Sequence, residues 1–403
     1  MTPPDRPKKE IGSGPVARTL GPLREFLATE AGGATILLCA TVAALVWANV
    51  GDSYDAFWHR TSSVGIGAAR VTHDLRHWVN EGLMTLFFLV VGLEIKRELV
   101  GGELASIRKA LLPAVAALGG MVVPALLYLA VNAGAPSRAG WGIPMATDIA
   151  FAAAALAYFG RTLSSSARVF LLSLAIVDDI GAIVLIALFY STGTSWPALR
   201  AGLAIVVALA LLRRLNLAPG IVYGALACAL WFALSRSGVH AAIAGVVLGL
   251  MVPVRRDGRP RRGPVAETMV HRLHPWTSYA IVPLFALANA GVELSGHAVA
   301  GALTSRVGIG IVAGLVVGKL AGVGATTWGA VRLGLRPRPE DGWVATAGIA
   351  GLAGIGFTVS LFIAELAFSD AALVARAKIA ILVASTVATA LGGTLLRVSR
   401  GGS

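Results

Sequence analysis

The stretch Ser173-Leu-Ala-Ile-Val-Asp178-Asp179-Ile-Gly-Ala-Ile-Val-Leu-Ile-Ala-Leu188 places two adjacent carboxylates inside an apolar run that covers residues 168–190. A run of this length provides the roughly 20 residues with which a helix crosses the hydrocarbon core of a bilayer. On an insertion scale, each acidic side chain at the centre of such a helix costs about 3 kcal/mol. We therefore expect the pair to line a wet cavity and to have a function there. Neighbouring helical positions point about 100° apart, so one carboxylate can face a pocket while the other faces another helix.

The composition of the whole chain is that of a polytopic membrane protein. Of its 403 residues, 56% are hydrophobic and only 14% are charged, whereas a soluble globular chain carries about 25% charged residues. The two cysteines, Cys39 and Cys228, lie in apolar runs and form neither a disulfide framework nor a metal-ligand spacing. This composition therefore excludes the interpretation that the chain is a soluble protein with a large core.

Apolar runs of spanning length predict an all-α membrane protein with about twelve transmembrane helices. They form one domain, residues 29–397, between an N-terminal tail (1–28) and a C-terminal tail (398–403). The eighth run is short, so it could instead be a re-entrant or strongly tilted helix. The predicted spans are residues 30–50, 77–99, 111–131, 143–159, 168–190, 197–212, 219–234, 239–254, 276–292, 307–326, 343–368 and 372–396.

The distribution of Lys and Arg predicts that both tails are cytoplasmic. With the N-terminus inside, the inner segments hold 24 of the 34 Lys and Arg residues and the outer segments hold 9, Arg376 and Lys378 among them. Such an excess follows the positive-inside rule. It also accounts for the net charge of +13, so a nucleic acid is not expected as a partner.

The longest loop on the predicted outer side covers residues 51–76 and alternates between Gly and Thr or Val in its middle. Two interpretations fit this pattern. The loop could form a small hairpin that contacts a second copy of the chain in a homodimer, or it could be a plain surface loop.

Two further charges fall within the predicted spans, Asp148 in the fourth and Lys319 in the tenth. Together with the aspartate pair they would cost roughly 12 kcal/mol if none were paired, which is comparable to the stability of a whole domain. Pairing and water must therefore remove most of this cost. Lys319 is predicted to be the only cation in the middle of a span.

Two spans also contain residues that interrupt helices. Pro144 precedes Thr147 and Asp148 in the fourth span, and the eleventh span carries a series of glycines at 348, 351, 354 and 356. Broken helices at membrane depth are tolerated where they line a cavity, although the glycines alone could instead serve close helix packing. If both helices are interrupted and cross, Asp148 would balance the positive half-helix ends and Lys319 the negative ones.

Six motifs in the chain resemble those of the NhaA sodium/proton antiporter family, from about Phe26 to Arg397. They are Phe87-Phe-Leu-Val-Val-Gly-Leu-Glu-Ile-Lys-Arg-Glu-Leu99, Ala146-Thr-Asp-Ile-Ala-Phe151, Ala175-Ile-Val-Asp-Asp-Ile-Gly-Ala-Ile183, Ser237-Gly-Val-His-Ala241, Leu273-His-Pro-Trp276 and Gly354-Ile-Gly-Phe-Thr358. The resemblance implies inverted repeats with two broken, crossing helices. It also implies a transporter in the bacterial inner membrane that exchanges cytoplasmic Na⁺ or Li⁺ for external H⁺, with no cofactor beyond these ions.

The resemblance further implies roles for individual residues. Asp178 and Asp179, with Thr147, would bind Na⁺ or Li⁺ and exchange protons. Lys319 would pair with Asp178, and Asp148 would lie at the helix crossing. A cytoplasmic funnel would lead to this site, with Glu94, Lys96, Arg97 and Glu98 around its rim.

Two positions depart from the family pattern. Glu81 stands where the family usually has Asp, which keeps the charge but changes the reach of the side chain. Val270 stands where the family has an acidic residue, directly before His271. The second difference bears on the pH dependence that the family implies.

The histidines allow two interpretations each. His271 and His274 lie beside a basic loop, where an imidazole could report cytoplasmic pH or could simply lie at the membrane surface. His240 lies at the start of the eighth span, and we expect a structural role for it rather than a functional one.

Given this resemblance, we expect Na⁺ and H⁺ to compete for the aspartate pair, and the exchange to be electrogenic if about two protons exchange for one Na⁺. Two other classes of function remain. An intramembrane aspartyl protease needs two carboxylates that oppose each other across a peptide bond, and neighbours on one helix are poorly placed for that. A proton-coupled carrier of organic anions would need a cation such as Arg in its cavity.

Overall fold

The computed structural model describes residues 15–64, 71–191, 193, 195–215, 220–254, 266–335 and 338–400. Over these residues the chain is almost entirely helical. Residues 1–14 of the predicted N-terminal tail, the basic run at 255–265 and residues 401–403 of the C-terminal tail lie outside the described residues.

The helices follow one another with short connections. In chain order they are α1 (Pro15–Asn49), α2 (Ser53–Trp58), α3 (Leu75–His77), α4 (Met84–Gly101), α5 (Ile107–Val131), α6 (Ile149–Phe159), α7 (Ser165–Phe189), α8 (Trp196–Leu215), α9 (Gly220–Ser235), α10 (Ile243–Met251), α11 (Ala266–Trp276), α12 (Val282–Asn289), α13 (Gly296–Thr304), α14 (Arg306–Val312), α15 (Lys319–Arg332), α16 (Gly342–Leu352), α17 (Phe357–Ala367) and α18 (Ala371–Arg400). Three π-helical turns join α3 to α4, α11 to α12 and α14 to α15; they are Trp78–Leu83, Thr277–Ile281 and Ala313–Gly318. Two 3₁₀-helical segments, Glu103–Ala105 and Pro136–Met145, precede α5 and α6.

Five helical stretches are long and apolar enough to cross a membrane, or seven if each of two bent helix pairs counts as one span. These numbers concern the described residues only and are lower than the twelve runs of the sequence. Some predicted spans fail this test of length and apolarity, and the physical reasons are clear. The chain from Met84 to Gly101 carries a cluster of charges at its end, and α9 is apolar but short. The structure is therefore that of a helical membrane protein.

Both spans that were expected to be interrupted are bent. The segment Pro136–Met145 meets α6 at 45°, and α16 meets α17 at 43°. A few non-helical residues separate the two halves of each pair: Ala146, Thr147 and Asp148 in the first, and Ala353 to Gly356 in the second. The broken helices predicted from Pro144 and the glycines are thus present.

The predicted eighth span is shorter in the structure than in the sequence. α10 has nine residues, which is about 14 Å of helix and under half the thickness of a bilayer core. Residues 237–242 before it form a turn rather than a helix. α10 packs against α4 so closely that a Cβ on Gly249 would lie 2.6 Å from the carbonyl oxygen of Leu89. Glycine is required there to let the two backbones approach.

A β-hairpin stands between α2 and α3, as one of the two interpretations of the long loop expected. Its strands, β1 (Thr61–Val64) and β2 (Val71–Asp74), pair antiparallel with Thr61 opposite Asp74. The indole of Trp78 donates a hydrogen bond to the carbonyl of Ser62 at 3.2 Å. This bond docks the hairpin on the start of the helix that continues into α4.

Candidate functional site

The two helix breaks touch each other deep inside the helical assembly. The backbone N–H of Asp148 in the first break donates to the carbonyl of Ile355 in the second, at 2.6 Å. Pro144 ends the regular part of the first half-helix, and Gly354 and Gly356 lie within the second break. Backbone groups released by one break are thus partly satisfied by the other.

Asp148 caps the N-termini of both half-helices that leave the breaks. Its Oδ1 accepts from the backbone N–H of Phe151 in α6, at 3.1 Å. Its Oδ2 accepts from the backbone N–H of Thr358 in α17 at 2.9 Å and from the Thr358 hydroxyl at 2.6 Å. Both helix ends carry partial positive charge, so a single carboxylate neutralises the two. The residue is buried, with 2% of its surface exposed.

Lys319 reaches the same level from α15 and pairs with one of the two neighbouring acids. Its Nζ lies 2.5 Å from Oδ2 of Asp178, and both side chains are fully buried. It also donates to the hydroxyl of Thr147 at 3.0 Å. That hydroxyl lies 2.6 Å from Oδ2 of Asp178 and 2.8 Å from the carbonyl of Ala353, at the end of α16. The hydroxyl has one hydrogen, so it can donate to only one of these two acceptors at a time.

Asp179 has a different environment although it is the next residue on α7. Its Oδ1, like Oδ1 of Asp178, is buried and has no hydrogen-bond partner among the described residues, but Asp179 lines a cleft that Asp178 does not. The residue is 5% exposed, and this remaining surface lies in a cleft. An unpartnered buried carboxylate oxygen is costly, and a cation or a proton would remove that cost. The difference in direction expected from the 100° helical step is therefore observed.

The cleft has a volume of about 60 Å³ for water-sized molecules. Asp179, Asp148 and Thr147 lie along it together with residues from α1, α4 and α17. Glu94 of α4 and His274 of α11 also line it, with 3.8 Å between His274 Nε2 and Glu94 Oε1. An acidic and a titratable side chain therefore share the cleft with the buried aspartates.

The other residues expected at the rim are placed differently. Among the residues that line the cleft, Lys96, Arg97, Glu98 and His271 do not appear. Glu98 instead accepts a hydrogen bond from the backbone N–H of Glu103 at 2.9 Å, which fixes the turn after α4. His271 is exposed on α11, whereas Val270 beside it is buried.

Glu81 lies outside the cleft, between two histidines. Its Oε2 is 3.4 Å from Nε2 of His77, and its Oε1 is 3.8 Å from Nε2 of His240. Both histidines belong to the end of the molecule that carries the hairpin. His240 is buried, with its ring edge-on to Phe362 at 5.1 Å between centroids.

Three polar residues of the interior were not predicted from the sequence to have a partner there: Lys378, Glu365 and Thr358. Lys378 of α18 is 3% exposed and lies 2.5 Å from Glu365 of α17. Lys378 had been assigned to the outer charges, so its burial was not expected; it lies near the start of α18 rather than in the middle of the span. Its position inside the predicted span 372–396 was the available signal. Lys378 does not line the cleft, and its partner Glu365 balances its charge.

Thr358 was quoted within a motif but given no role. The only signal in the sequence was a hydroxyl side chain two residues after the Gly354-Ile-Gly356 break. The glycines of the eleventh span divide between the two interpretations. Gly351 packs against α18, where its Cβ would lie 2.9 Å from Cα of Gly392, whereas Gly354 and Gly356 form the break.

Comparisons with known proteins identify the family of the chain. The profile of the family described as Na⁺/H⁺ antiporter 1 matches residues 24–396. A Na⁺/H⁺ antiporter NhaA from Serratia proteamaculans is 45% identical over 384 residues, which cover 94% of this chain and 98% of the relative. One from Yersinia enterocolitica is 45% identical with 94% and 97% covered, and one from Oleidesulfovibrio alaskensis is 42% identical with 95% of each covered. A match over nearly the whole length at these identities shows that the chain belongs to the Na⁺/H⁺ antiporter 1 family.

Proposed function

We propose that this chain is a secondary active transporter that exchanges cytoplasmic Na⁺ or Li⁺ for external H⁺ at the Asp178–Asp179 pair. Membership of an antiporter family supports the type of transport. The observation that carries the site is Oδ1 of Asp179, which is buried, has no hydrogen-bond partner among the described residues and borders the cleft. The transported ions are substrates, and the proposal requires no enzymatic chemistry and no resident cofactor.

The proposed ion site consists of oxygen atoms, which suit a hard alkali cation. Asp179 supplies a carboxylate from the cleft side. Thr147 supplies its hydroxyl, and Asp178 lies behind it at 2.6 Å. The carbonyl of Ala353 at the end of α16 is within 2.8 Å of the same hydroxyl. These groups come from three different elements, so a rearrangement of the breaks would change the site as a whole.

Competition between the two cargoes follows from the burial of Asp179. A carboxylate buried without a cationic partner favours its protonated form, and a bound Na⁺ would supply the missing positive charge. The two cargoes therefore exclude each other at this group. Lys319 holds Asp178 in the state that the structure describes, and release of that contact would free a second acidic group. The two aspartates then titrate as a coupled unit.

The proposed stoichiometry is two protons for one Na⁺, one associated with each aspartate. Net charge then crosses the membrane in every cycle, so a voltage drives the exchange. We propose an imposed voltage as the test, in proteoliposomes with a valinomycin-clamped potassium potential. The exchange rate should change with voltage. A rate that does not respond would refute this stoichiometry while leaving one-for-one exchange possible.

The proposed architecture has about twelve spans in inverted repeats, with the two broken helices crossing and both termini in the cytoplasm of a bacterial cell. Support comes from the two bent pairs, from the hydrogen bond between their breaks and from the excess of Lys and Arg on one side. In this orientation the cleft with Glu94 and His274 opens to the cytoplasm, and the hairpin lies outside. The hairpin is also the proposed contact of a homodimer.

The proposed pH regulation resides at the mouth of the cleft, where His274 faces Glu94. Protonation of His274 would change the charge that a cation meets on its way to Asp179. The buried Val270 replaces the acid that the family pattern has near this loop. We therefore expect a pH profile that depends on His274 more than on the exposed His271.

Reconstituted transport tests the proposed function directly. Purified protein in proteoliposomes should take up Na⁺ in exchange for H⁺ under a pH gradient, and the Asp179→Asn variant should not. An active Asp179→Asn variant would remove the proposed site.

The same vesicles address the two other classes of function, peptide cleavage and transport of organic anions. Only one of the two acids borders the cleft, so we expect no peptide cleavage. Organic anions should not compete with Na⁺, because the Lys378 cation lies outside the cleft.

A further inference from the structure

A second set of titratable side chains lies at the hairpin end of the molecule and is not part of the ion site. His73 of β2 stacks on His77 of α3, with 3.8 Å between ring centroids. The contacts of His77 and His240 with the two oxygens of Glu81 continue this set inward. We call His73, His77, Glu81 and His240 the Glu81 cluster. Glu81 bridges a histidine on the hairpin side and a histidine on the interior side.

The backbone around Glu81 is held in an unusual conformation. Glu81 lies in the π-helical turn Trp78–Leu83, and such turns are frequent at functional sites. Two side chains donate to the carbonyl oxygen of Glu81: the hydroxyl of Thr85 at 2.5 Å and the indole of Trp231 at 3.3 Å. These bonds hold the backbone of Glu81 in the π-helical turn. The position of Glu81 between the histidines is therefore built into the fold.

His240 forms the inner end of the cluster. Its side chain is 10% exposed, and its Nδ1 is buried without a hydrogen-bond partner among the described residues. Its other nitrogen, Nε2, faces Glu81. An imidazole can accept a proton on one nitrogen and release one from the other. The unpartnered nitrogen is thus free to pass a proton inward, on the side of the ring that Glu81 does not occupy.

An apolar layer beside His240 lies on the helices that carry the ion site. Phe362 lies one turn beyond Thr358 on α17, and Ile183 lies one turn beyond Asp179 on α7. With Phe88 and four other apolar residues they line a cavity of only about 10 Å³. The described residues around this cavity offer no polar side chain. The cleft is on the far side, since Glu94 lies thirteen residues beyond Glu81, or about 20 Å along a helix.

We propose that the Glu81 cluster is a proton relay, which carries protons between the water at the hairpin and the ion site when the apolar layer opens. The inference rests on the proposed exchange, and it assigns to the protons a path that Na⁺ in the cleft does not share before it binds. A proton taken up by His73 or His77 passes to Glu81, then to Nε2 of His240. Nδ1 of His240 then delivers a proton towards Asp179, and no charge remains on the cluster.

The surroundings of the cluster are compatible with this role. Burial lowers the pKa of the His73 imidazole and the neighbouring His77 lowers it further, so His73 gives up a proton more readily than a free imidazole does. Opposing charges come from Glu81 and from Asp74. Asp74 in turn lies 3.4 Å from Nδ1 of His59. Glu81 and His77 are the charged groups that act on His240. Proton transfer requires groups within hydrogen-bond reach or one water apart, so from the spacings of 3.4 and 3.8 Å at Glu81 a side-chain movement of less than about 1 Å must close each step.

The test compares the exchange rate with equilibrium Na⁺ binding in reconstituted full-length protein. Glu81→Gln should lower the maximal exchange rate by about tenfold. Loss of an acid–base group often costs roughly a hundredfold, but water can replace part of a relay, so we expect a smaller effect. Na⁺ affinity should stay unchanged, since the ion site is intact. Glu81→Asp should retain most of the rate. His77→Ala should be slow, and external imidazole should restore it by supplying the missing proton carrier.

The matched control is His297→Gln. His297 is exposed on α13, outside the cluster, and this variant should exchange at the wild-type rate with or without imidazole. A Glu81→Gln protein that exchanges as fast as the control would overturn the relay. So would a Glu81→Gln protein that has lost Na⁺ binding, because Glu81 would then support the ion site itself. If the wild-type protein does not exchange Na⁺ for H⁺ at all, the proposed function fails instead.

Discussion

At the scale of single residues, the two neighbouring acids of α7 differ in what holds them. Each has one buried oxygen without a hydrogen-bond partner among the described residues, but Asp178 is paired with Lys319, whereas Asp179 lines the cleft. Asp179→Asn should therefore abolish exchange and leave stability unchanged. Asp178→Asn leaves a buried ammonium without its counter-charge, which costs about 3–5 kcal/mol. Midpoints of thermal unfolding in detergent, with Asp178→Asn/Lys319→Met as the compensated control, measure the difference. Equal midpoints for the two single variants would contradict this assignment.

A second residue-scale prediction concerns Asp148. Asp148→Ala removes the cap of two half-helices at once, and each cap contributes about 1 kcal/mol, so we expect a loss of about 2 kcal/mol. Thr358→Val removes one of the two bonds to Oδ2 and should cost about 1 kcal/mol. Thr346→Val is the control, because the hydroxyl of Thr346 bonds only within its own helix, to Gly342. Unfolding midpoints that do not follow this order would show that Asp148 has another role.

The sequence predicted the charged residues of the site well, because a charge in an apolar run is conspicuous and costly. Asp148, Asp178 and Lys319 lie at or beside the breaks and Asp179 lines the cleft, while their role as an ion site stays a prediction. Thr358 could not be predicted, since its partner Asp148 is 210 positions away and only the fold brings the two breaks together. The pair of Glu365 and Lys378 was missed because both lie close to the ends of their spans, where charges are usually attributed to loops.

At the scale of elements, the α16–α18 contact depends on the absence of side chains. Gly351→Ala would place a methyl group 2.9 Å from Cα of Gly392, and overpacking of this kind costs about 1–3 kcal/mol. Gly324→Ala on α15 is the matched control, because nothing lies within 4 Å of its Cβ position. That change should be neutral or stabilising, by up to about 1 kcal/mol. Unfolding midpoints in detergent compare the two, and a stable Gly351→Ala protein would argue against tight packing there.

The apolar runs located the helices, but the ends of the helices are set by contacts that the sequence does not display. α10 begins at Ile243 rather than at 239 because residues 237–242 turn beside Glu81 and Phe362. The breaks at Pro144 and at the glycines were predictable, since these residues release backbone groups wherever they occur in a helix. Which of the glycines form the break and which serve packing was decided only by the position of α18.

At the scale of the whole molecule, the proposed orientation predicts which surface positions water-soluble reagents can reach. Single cysteines replace Arg236 on the proposed outer side and Arg332 on the proposed inner side, in a chain without the exposed Cys39 and Cys228. Both arginines are exposed and lie over an aromatic ring, of Phe232 and Trp328 respectively. A membrane-impermeant maleimide should label only Arg236→Cys in intact cells and both variants after lysis. The reverse pattern would invert the orientation and the direction of the cleft.

The measurement that tests the central claim most directly is Na⁺-triggered proton release from the purified protein, followed over a series of pH values. If Na⁺ and H⁺ compete for the Asp178–Asp179 pair, Na⁺ and Li⁺ should each release protons from the wild-type protein, whereas K⁺ should not. Asp179→Asn should abolish the release. Proton release from Asp179→Asn equal to that of the wild-type protein, or no release from the wild-type protein at any pH, would contradict the account.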